Sequence, residues 1–410
     1  MNDANIPSVL ISVFNMARRK LIDLSPFLLL LFCGTVCAAM IVPYMGYFLV
    51  EGLGQQPWLI SVYSFLVVSL TIIVNRDFAR RIDAGHRVFP LVGIAAAGYL
   101  LATATLAVFP YLCAVLIMGV LGFGVSSSAV STMFSLGGSL AERHEVDRKR
   151  FNAYMRATTS TAWMLGPAVA FVVADQINEA AVFVLGIGGA VLWLGLWWLV
   201  LPRDITTQPK PSANQTGSVA ATNHALWIAA AFVFCLSSAH SLTFSALPLF
   251  YVQEVGLPGY APGTAFSVKT FVEVFAIFAT PFLIAKFGMR NSLLVTTLLA
   301  VVTIQILASV QNYPQMLGGA ALEGLYYGLY ASLGISYVQS FAPDRPARAT
   351  AIYWNTLMIS SVLAGPAVGF IAQAFDFRTV VQFASVVALC AAAILMLATK
   401  LGKALASTKA

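Results

Sequence analysis

Glu273 and Glu323 each stand near the middle of a long apolar run. A charged side chain at the centre of a bilayer costs on the order of 3 kcal/mol on insertion scales, so a carboxylate in that setting is a candidate for binding a proton, an ion or a substrate. Glu273 follows Lys269 by four residues, a spacing that lets the two share a helix face. The pair reads as a proton-binding carboxylate tuned by a neighbouring cation, or as a structural ion pair. Glu323 is followed at i+4 and i+7 by Tyr327 and Tyr330. An acid beside phenols suits a cationic or polyhydroxylated ligand, or itself carries the proton; the plain alternative is a protonated carboxyl bonded to a tyrosine.

Other polar residues in apolar runs widen the candidate site. Arg156 lies about one and a half turns into its run, where it either snorkels to the interface or faces a cavity and binds acidic or hydroxyl groups bidentately. His240 stands among Ser237, Ser238, Ser241 and Thr243 and has the chemistry to titrate near neutral pH, although a lone helical histidine also serves simply as packing. Tyr44, Tyr47, Tyr63, Gln339, Trp354 and Asn355 are candidates for lining a cavity, because polyhydroxylated ligands are held by hydrogen bonds and aromatic faces. Two Gly-Pro pairs, Gly166-Pro167 and Gly365-Pro366, carry a mechanical meaning. Glycine permits close helix approach and proline opens the backbone ladder to bending.

The elements that hold these residues are membrane helices. Hydrophobic residues make up 59% of the chain and charged ones 10%, too few to give a chain of 410 residues a polar surface. Apolar runs near 26–50, 57–75, 88–108, 111–137, 151–174, 179–201, 224–252, 262–285, 291–310, 313–341, 348–374 and 378–399 predict twelve transmembrane helices. All but three of the 23 lysines and arginines fall on one side of that arrangement; Arg378 lies opposite, and Arg156 and Lys269 lie within spans. By the positive-inside rule that side, with both termini, is cytoplasmic. The net charge of +7 is therefore a signal of topology rather than of a nucleic-acid partner.

The sequence also repeats. TAWMLGPAVAF (161–171) returns as SSVLAGPAVGF (360–370), 199 residues later, and FLVEGLG (48–54) is echoed by YVQEVGL (251–257). Two parallel six-helix bundles follow: 26–201 and 224–399, with a terminal segment 1–25, a linker 202–223 rich in Pro, Thr, Ser and Asn, and a tail 400–410. The apolar stretch Ile6–Phe14 precedes the Arg18-Arg19-Lys20 cluster, the reverse of a secretory signal, and reads as a surface segment or an unstructured tail.

This all-α architecture, with its Gly-Pro fifth span, resembles the major facilitator superfamily; ARRIDAGHR (79–87) and KFGMR (286–290) are degenerate versions of that family's loop signature. The stretch MRATTSTAWMLGPAVAF (155–171), Glu273 with the turn at Lys286-Phe287-Gly288, and Asn355 are most similar to the bacterial sugar efflux transporter family. Glu323 and Ala246 depart from it, standing where its members carry an Asn-type residue and an acid. The resemblance implies alternating access around a site between the halves, and a proton-coupled exporter of a sugar or glycoside in a cell inner membrane. Glu273, Glu323 and His240 would then handle the proton. Arg156, the six cavity candidates, Glu323, Tyr327 and Tyr330 would meet substrate, and the Gly-Pro pairs would serve gating. Efflux of drugs, peptides or siderophore-like compounds, or import, is the alternative.

Neither cofactor nor metal is expected. The five cysteines show no CxxC spacing, and GVLGFG (119–124) lacks the lysine of a phosphate loop, so it reads as helix packing. No cluster of acid, base and metal residues points to an enzyme. The partners expected are a small molecule, protons and the bilayer, handled by a monomer.

Overall fold

Backbone amides in hydrocarbon find no water, so a spanning segment must satisfy them internally as a helix. A computed structural model, describing residues 24–206, 224–341 and 346–407, contains twelve long helices in the expected places. They are α1 Ser25–Gly52, α2 Trp58–Asp83, α3 Phe89–Val108, α4 Leu112–Arg143, α5 Arg148–Gln176 and α6 Ala181–Val200, then α7 His224–Glu254, α8 Ala261–Phe287, α9 Met289–Ala308, α10 Tyr313–Ser340, α11 Pro346–Ala374 and α12 Phe377–Ser407. Eleven are long and apolar enough to cross a membrane. The remaining one, α10, is as long but carries Glu323, several glycines and several tyrosines. The expected terminal segment lies outside the described residues except for its last two, as does the linker from residue 207 on.

Local signals set the helix starts. Proline occupies the first turn of α3, α8 and α10, where its missing N–H costs nothing. Asn312 caps α10 by accepting from the Gln315 N–H at 3.0 Å. Glu254, at the end of α7, accepts from the Phe377 N–H at 2.6 Å and so caps α12.

Contacts divide the chain into two compact units that do not follow its two halves. The first comprises Met1–Ala39, Leu70–Gly166 and Phe183–Ala213. Here small residues bring helices together: Gly98 of α3 lies against the carbonyl of Gly122 on α4, and Trp193 of α6 covers Gly34 of α1. Gly122 belongs to the GVLGFG run, which is thus a helix contact surface.

The second unit joins Asn214–Ala410 to Met40–Ser69 and Pro167–Val182. It therefore holds the C-terminal six helices and those ends of α1, α2, α5 and α6 that lie away from the basic loops, called the distal end below. The prolines of the two Gly-Pro motifs, Pro167 and Pro366, lie at helix crossings there. A Cβ on Gly263 of α8 would come within 2.9 Å of both Pro167 O and Ala168 Cα on α5. On α11, Gly365 and Gly369 lie against Ser64 and Ser61 of α2, and the Ser61 hydroxyl donates to the Pro366 carbonyl at 2.6 Å.

The second repeat also has a structural meaning, shifted by one residue. Both α1 and α7 end in a widened turn, with Leu53 N–H bonding Phe48 O and Gln55 N–H bonding Leu49 O, matched by Val255 to Phe250 and Leu257 to Tyr251. Each turn is followed by a glycine at positive φ, Gly54 at 60° and Gly256 at 73°, a conformation that suits a residue lacking Cβ. Backbone equivalence thus sets Glu51 opposite Gln253, not Glu254, and the two equivalent side chains bond each other: Gln253 Nε2 donates to Glu51 Oε1 at 2.6 Å.

Candidate functional site

The site forms where α7, α8 and α10 meet in the second unit. Its position follows from Gly324 and Gly328, a G-x-x-x-G spacing that lets two helix backbones touch. A Cβ on Gly324 would overlap the Lys269 carbonyl and lie 3.1 Å from Glu273 N; one on Gly328 would lie 2.5 Å from Glu273 O. Close approach at Gly324 brings Lys269 of α8 beside the adjacent Glu323 of α10.

Three ionisable side chains converge there, all buried: Lys269 is 5% exposed, His240 8% and Glu323 3%. Lys269 Nζ lies 3.9 Å and His240 Nδ1 3.7 Å from Glu323 Oε1. Those separations allow electrostatic contact but exceed hydrogen-bond range, and Oε1 has no hydrogen-bond partner among the described residues. Lys269 Nζ also approaches His240 Nε2 at 3.4 Å. An ammonium carries donors only, so this contact needs a lone pair on Nε2 and leaves the ring proton on Nδ1. From there it is donated to the Tyr326 hydroxyl oxygen at 3.0 Å.

Aromatic rings complete the surroundings. The His240 ring stacks on Tyr327 with centroids 3.8 Å apart and planes 18° apart. The Lys269 ammonium lies 4.7 Å from the Tyr327 centroid and 5.2 Å from that of Phe244, within the range of cation–π attraction. Below them Tyr330 donates to Val233 O at 3.1 Å, so the 2.6 Å contact with Ser237 is made by the serine hydroxyl donating to Tyr330. Such a cluster allows the buried carboxyl two states, ionised and paired with Lys269, or protonated, with the ammonium left to His240 and the aromatic faces.

The structure thus brings Glu323, His240, Tyr327 and Tyr330 together, and adds Lys269, Tyr326, Phe244 and Ser237. Tyr326 was within reach of the sequence, being at i+3 from Glu323 on the same helix. Glu273 presses its backbone against Gly324 and Gly328, and its half-buried carboxyl makes no hydrogen bond among the described residues. Lys269 sends its ammonium to Glu323 rather than into an ion pair with Glu273.

The remaining candidates lie elsewhere. Tyr44 and Tyr47 pack edge-on against Phe171, and the Tyr44 hydroxyl donates to the Glu179 carbonyl at 2.8 Å. Tyr63 is buried on α2 and Gln339 half-buried near the end of α10. Trp354 and Asn355 are exposed on α11, as is Arg156 on α5 in the first unit.

The Major Facilitator Superfamily profile matches residues 138–304 and 234–409. Sugar efflux transporter A of Escherichia coli is 25% identical over 390 residues, covering 93% of this chain and 98% of its own. Sugar efflux transporter B of Salmonella typhimurium is 24% identical, covering 90% and 94%. Among solved structures, the nucleoside transporter NupG matches with a TM-score of 0.76 at 12% identity, covering 92% of this chain and 98% of that one. A bacterial homologue of the human lysosomal transporter Spinster, in an inward-facing and occupied conformation, matches with a TM-score of 0.68 at 12% identity, covering 93% and 97%.

Proposed function

The chain belongs to the major facilitator superfamily as a multi-pass membrane protein, and we propose that it exports a sugar or glycoside in exchange for protons by alternating access. The observation that carries this reading is the buried cluster of Glu323, Lys269 and His240 within a wall of tyrosines. The similarity to sugar efflux transporters over nearly the whole chain supports the substrate class.

Ionised Glu323 is held by Lys269, and hydroxyl groups of a substrate extend that pairing by donating to the carboxylate. A proton arriving on Glu323 cancels its charge, releases Lys269 and removes the acceptor that the substrate uses, so proton and substrate compete. Each charge moved down a potential of 100 mV supplies about 2.3 kcal/mol. Glu273, on the neighbouring face of α8, is the second candidate carrier. The same cluster argues against a cationic drug as substrate, because the aromatic and carboxylate surfaces that would hold a cation already hold the Lys269 ammonium. Both termini and the basic loops are assigned to the cytoplasmic side of an inner membrane, with the protein acting as a monomer.

The test is flux of a labelled disaccharide and of an alkyl glycoside in proteoliposomes with an imposed pH gradient. Coupling is expected to be lost in Glu323→Gln, in Glu273→Gln or in both. Gradient-driven flux equal to wild type in both variants refutes the mechanism.

A further inference from the structure

We propose that the small cavity bounded by α7, α8 and α10 binds a water bridging Tyr251 Oη and Glu323 Oε1, through which Glu323 exchanges its proton with the distal side. Two buried polar atoms carry this. Tyr251 is 1% exposed and Glu323 3%, and neither Tyr251 Oη nor Glu323 Oε1 has a hydrogen-bond partner among the described residues. Both residues line one cavity, and the rest of its wall, including Leu247, Pro248 and Phe266, is apolar. Buried polar groups in folded proteins are nearly always bonded to protein or to ordered water. A cavity on the scale of one water, with two polar groups in its wall, meets the requirement for holding it.

The placement gives the route a direction. Tyr251 lies in the widened turn Phe250–Glu254 that ends α7 distally, whereas Glu323 lies deeper, on α10. The backbone equivalent of Tyr251 in α1 is Leu49, so the phenol occurs only in the half that carries Glu323. Glu323 is faced by Lys269 from α8 and His240 from α7, with Glu273 one turn farther along α8. Charged residues of α9 and α11 are confined to their first turns. None of these lines the cavity, which leaves Tyr251 as its second polar group.

The transfer balances. The carboxyl O–H of Glu323 breaks as one forms on the water, which passes a proton to Tyr251 Oη. The original phenolic proton then leaves to solvent admitted at the distal end. Water and phenol finish as they began, and one proton has moved.

This inference rests on the proton-coupled reading above, and the experiment separates the two. Gradient-driven disaccharide flux is compared with substrate-for-substrate exchange at equal pH, which needs no proton. Tyr251→Phe is expected to lower driven flux by about tenfold or more while exchange stays within about twofold. Unchanged driven flux, or an equal fall in both, overturns the relay. Wild-type flux indifferent to the gradient overturns the coupling and the relay together. The water has its own readout: the infrared carboxyl band identified by its loss in Glu323→Gln is expected to shift in Tyr251→Phe, and an unmoved band overturns the site.

Discussion

Replacing Lys269 with Met keeps a stem of similar length and removes the ammonium, leaving Glu323 without its cation. At 3.9 Å and an effective dielectric constant of about 20, the lost attraction is about 4 kcal/mol. Part is offset because the buried ammonium no longer has to be desolvated, yet breaking a buried pair still costs about 3 to 5 kcal/mol. We expect Lys269→Met to lower the stability of the protein in detergent micelles by about 3 kcal/mol near pH 8, read from denaturant unfolding followed by tryptophan fluorescence. The deficit must shrink towards about pH 5, because a protonated carboxyl needs no counter-ion and only the ionised one is left buried and unpaired in the variant. Glu323→Gln imitates the neutral acid at every pH. The double variant should therefore recover most of the loss, with a coupling energy of about 2 kcal/mol. Equal deficits at both pH values, or additive effects of the two substitutions, would refute the pairing.

Three further outcomes follow from the packing. Gly324→Val and Gly328→Val each force α8 and α10 apart and should cost about 1 to 3 kcal/mol or more in the same unfolding assay, whereas Gly318→Val, with nothing within 4 Å of its Cβ, should cost far less. Tyr330→Phe loses its bonds to Ser237 and Val233 and should destabilise by about 1 kcal/mol; stability equal to wild type would mean that these bonds contribute nothing. Gln253→Ala removes the bond to Glu51, and at about 0.6 kcal/mol should raise distal opening about threefold. Alkylation of a cysteine placed at Ser64, in a background without native cysteines, measures it.

The helices were legible because each is a single uninterrupted signal: an apolar run bounded by charge or turn residues. The Gly-Pro repeat was legible for the same reason, being contiguous, and the prolines of its two copies do lie at helix crossings. What composition and spacing left open was the choice of partners across helices. Lys269 is spaced along α8 to meet Glu273, but the backbone contact at Gly324 brings it beside Glu323, where His240, Tyr327 and Phe244 also meet its ammonium. The weaker repeat misled by one residue for a related reason. String matching pairs Glu51 with Glu254, but the widened turns that end α1 and α7 fix the register by their carbonyl partners, which side-chain identity does not reveal. Tyr44 and Tyr47 had no positional signal distinguishing a cavity wall from an aromatic core, and the structure packs both against Phe171.

Among the described residues, the distal contacts between the two halves combine close packing with few hydrogen bonds, and this bears on how a proton could move them. Beyond small-residue packing, α2 and α11 share the Ser61–Pro366 bond, and α1 and α7 share the Gln253–Glu51 bond. Helix–helix hydrogen bonds in membranes average about 0.6 kcal/mol. One charge moved through 100 mV supplies about 2.3 kcal/mol, so a single proton is of the right scale to bias this seal on the proposed mechanism. On the proposed mechanism the link would run through α8, which carries both Lys269, the partner of Glu323, and Gly263, which meets Pro167 and Ala168. Gly263→Ala places a methyl 2.9 Å from both Pro167 O and Ala168 Cα, wedging α8 from α5 without touching the ionisable cluster. It should therefore increase distal alkylation while leaving the pH dependence of driven flux in place. If Gly263→Ala instead moves the pH profile and leaves alkylation unchanged, α8 does not divide into a chemical and a mechanical segment, and the link between Glu323 and the seal must run through α7.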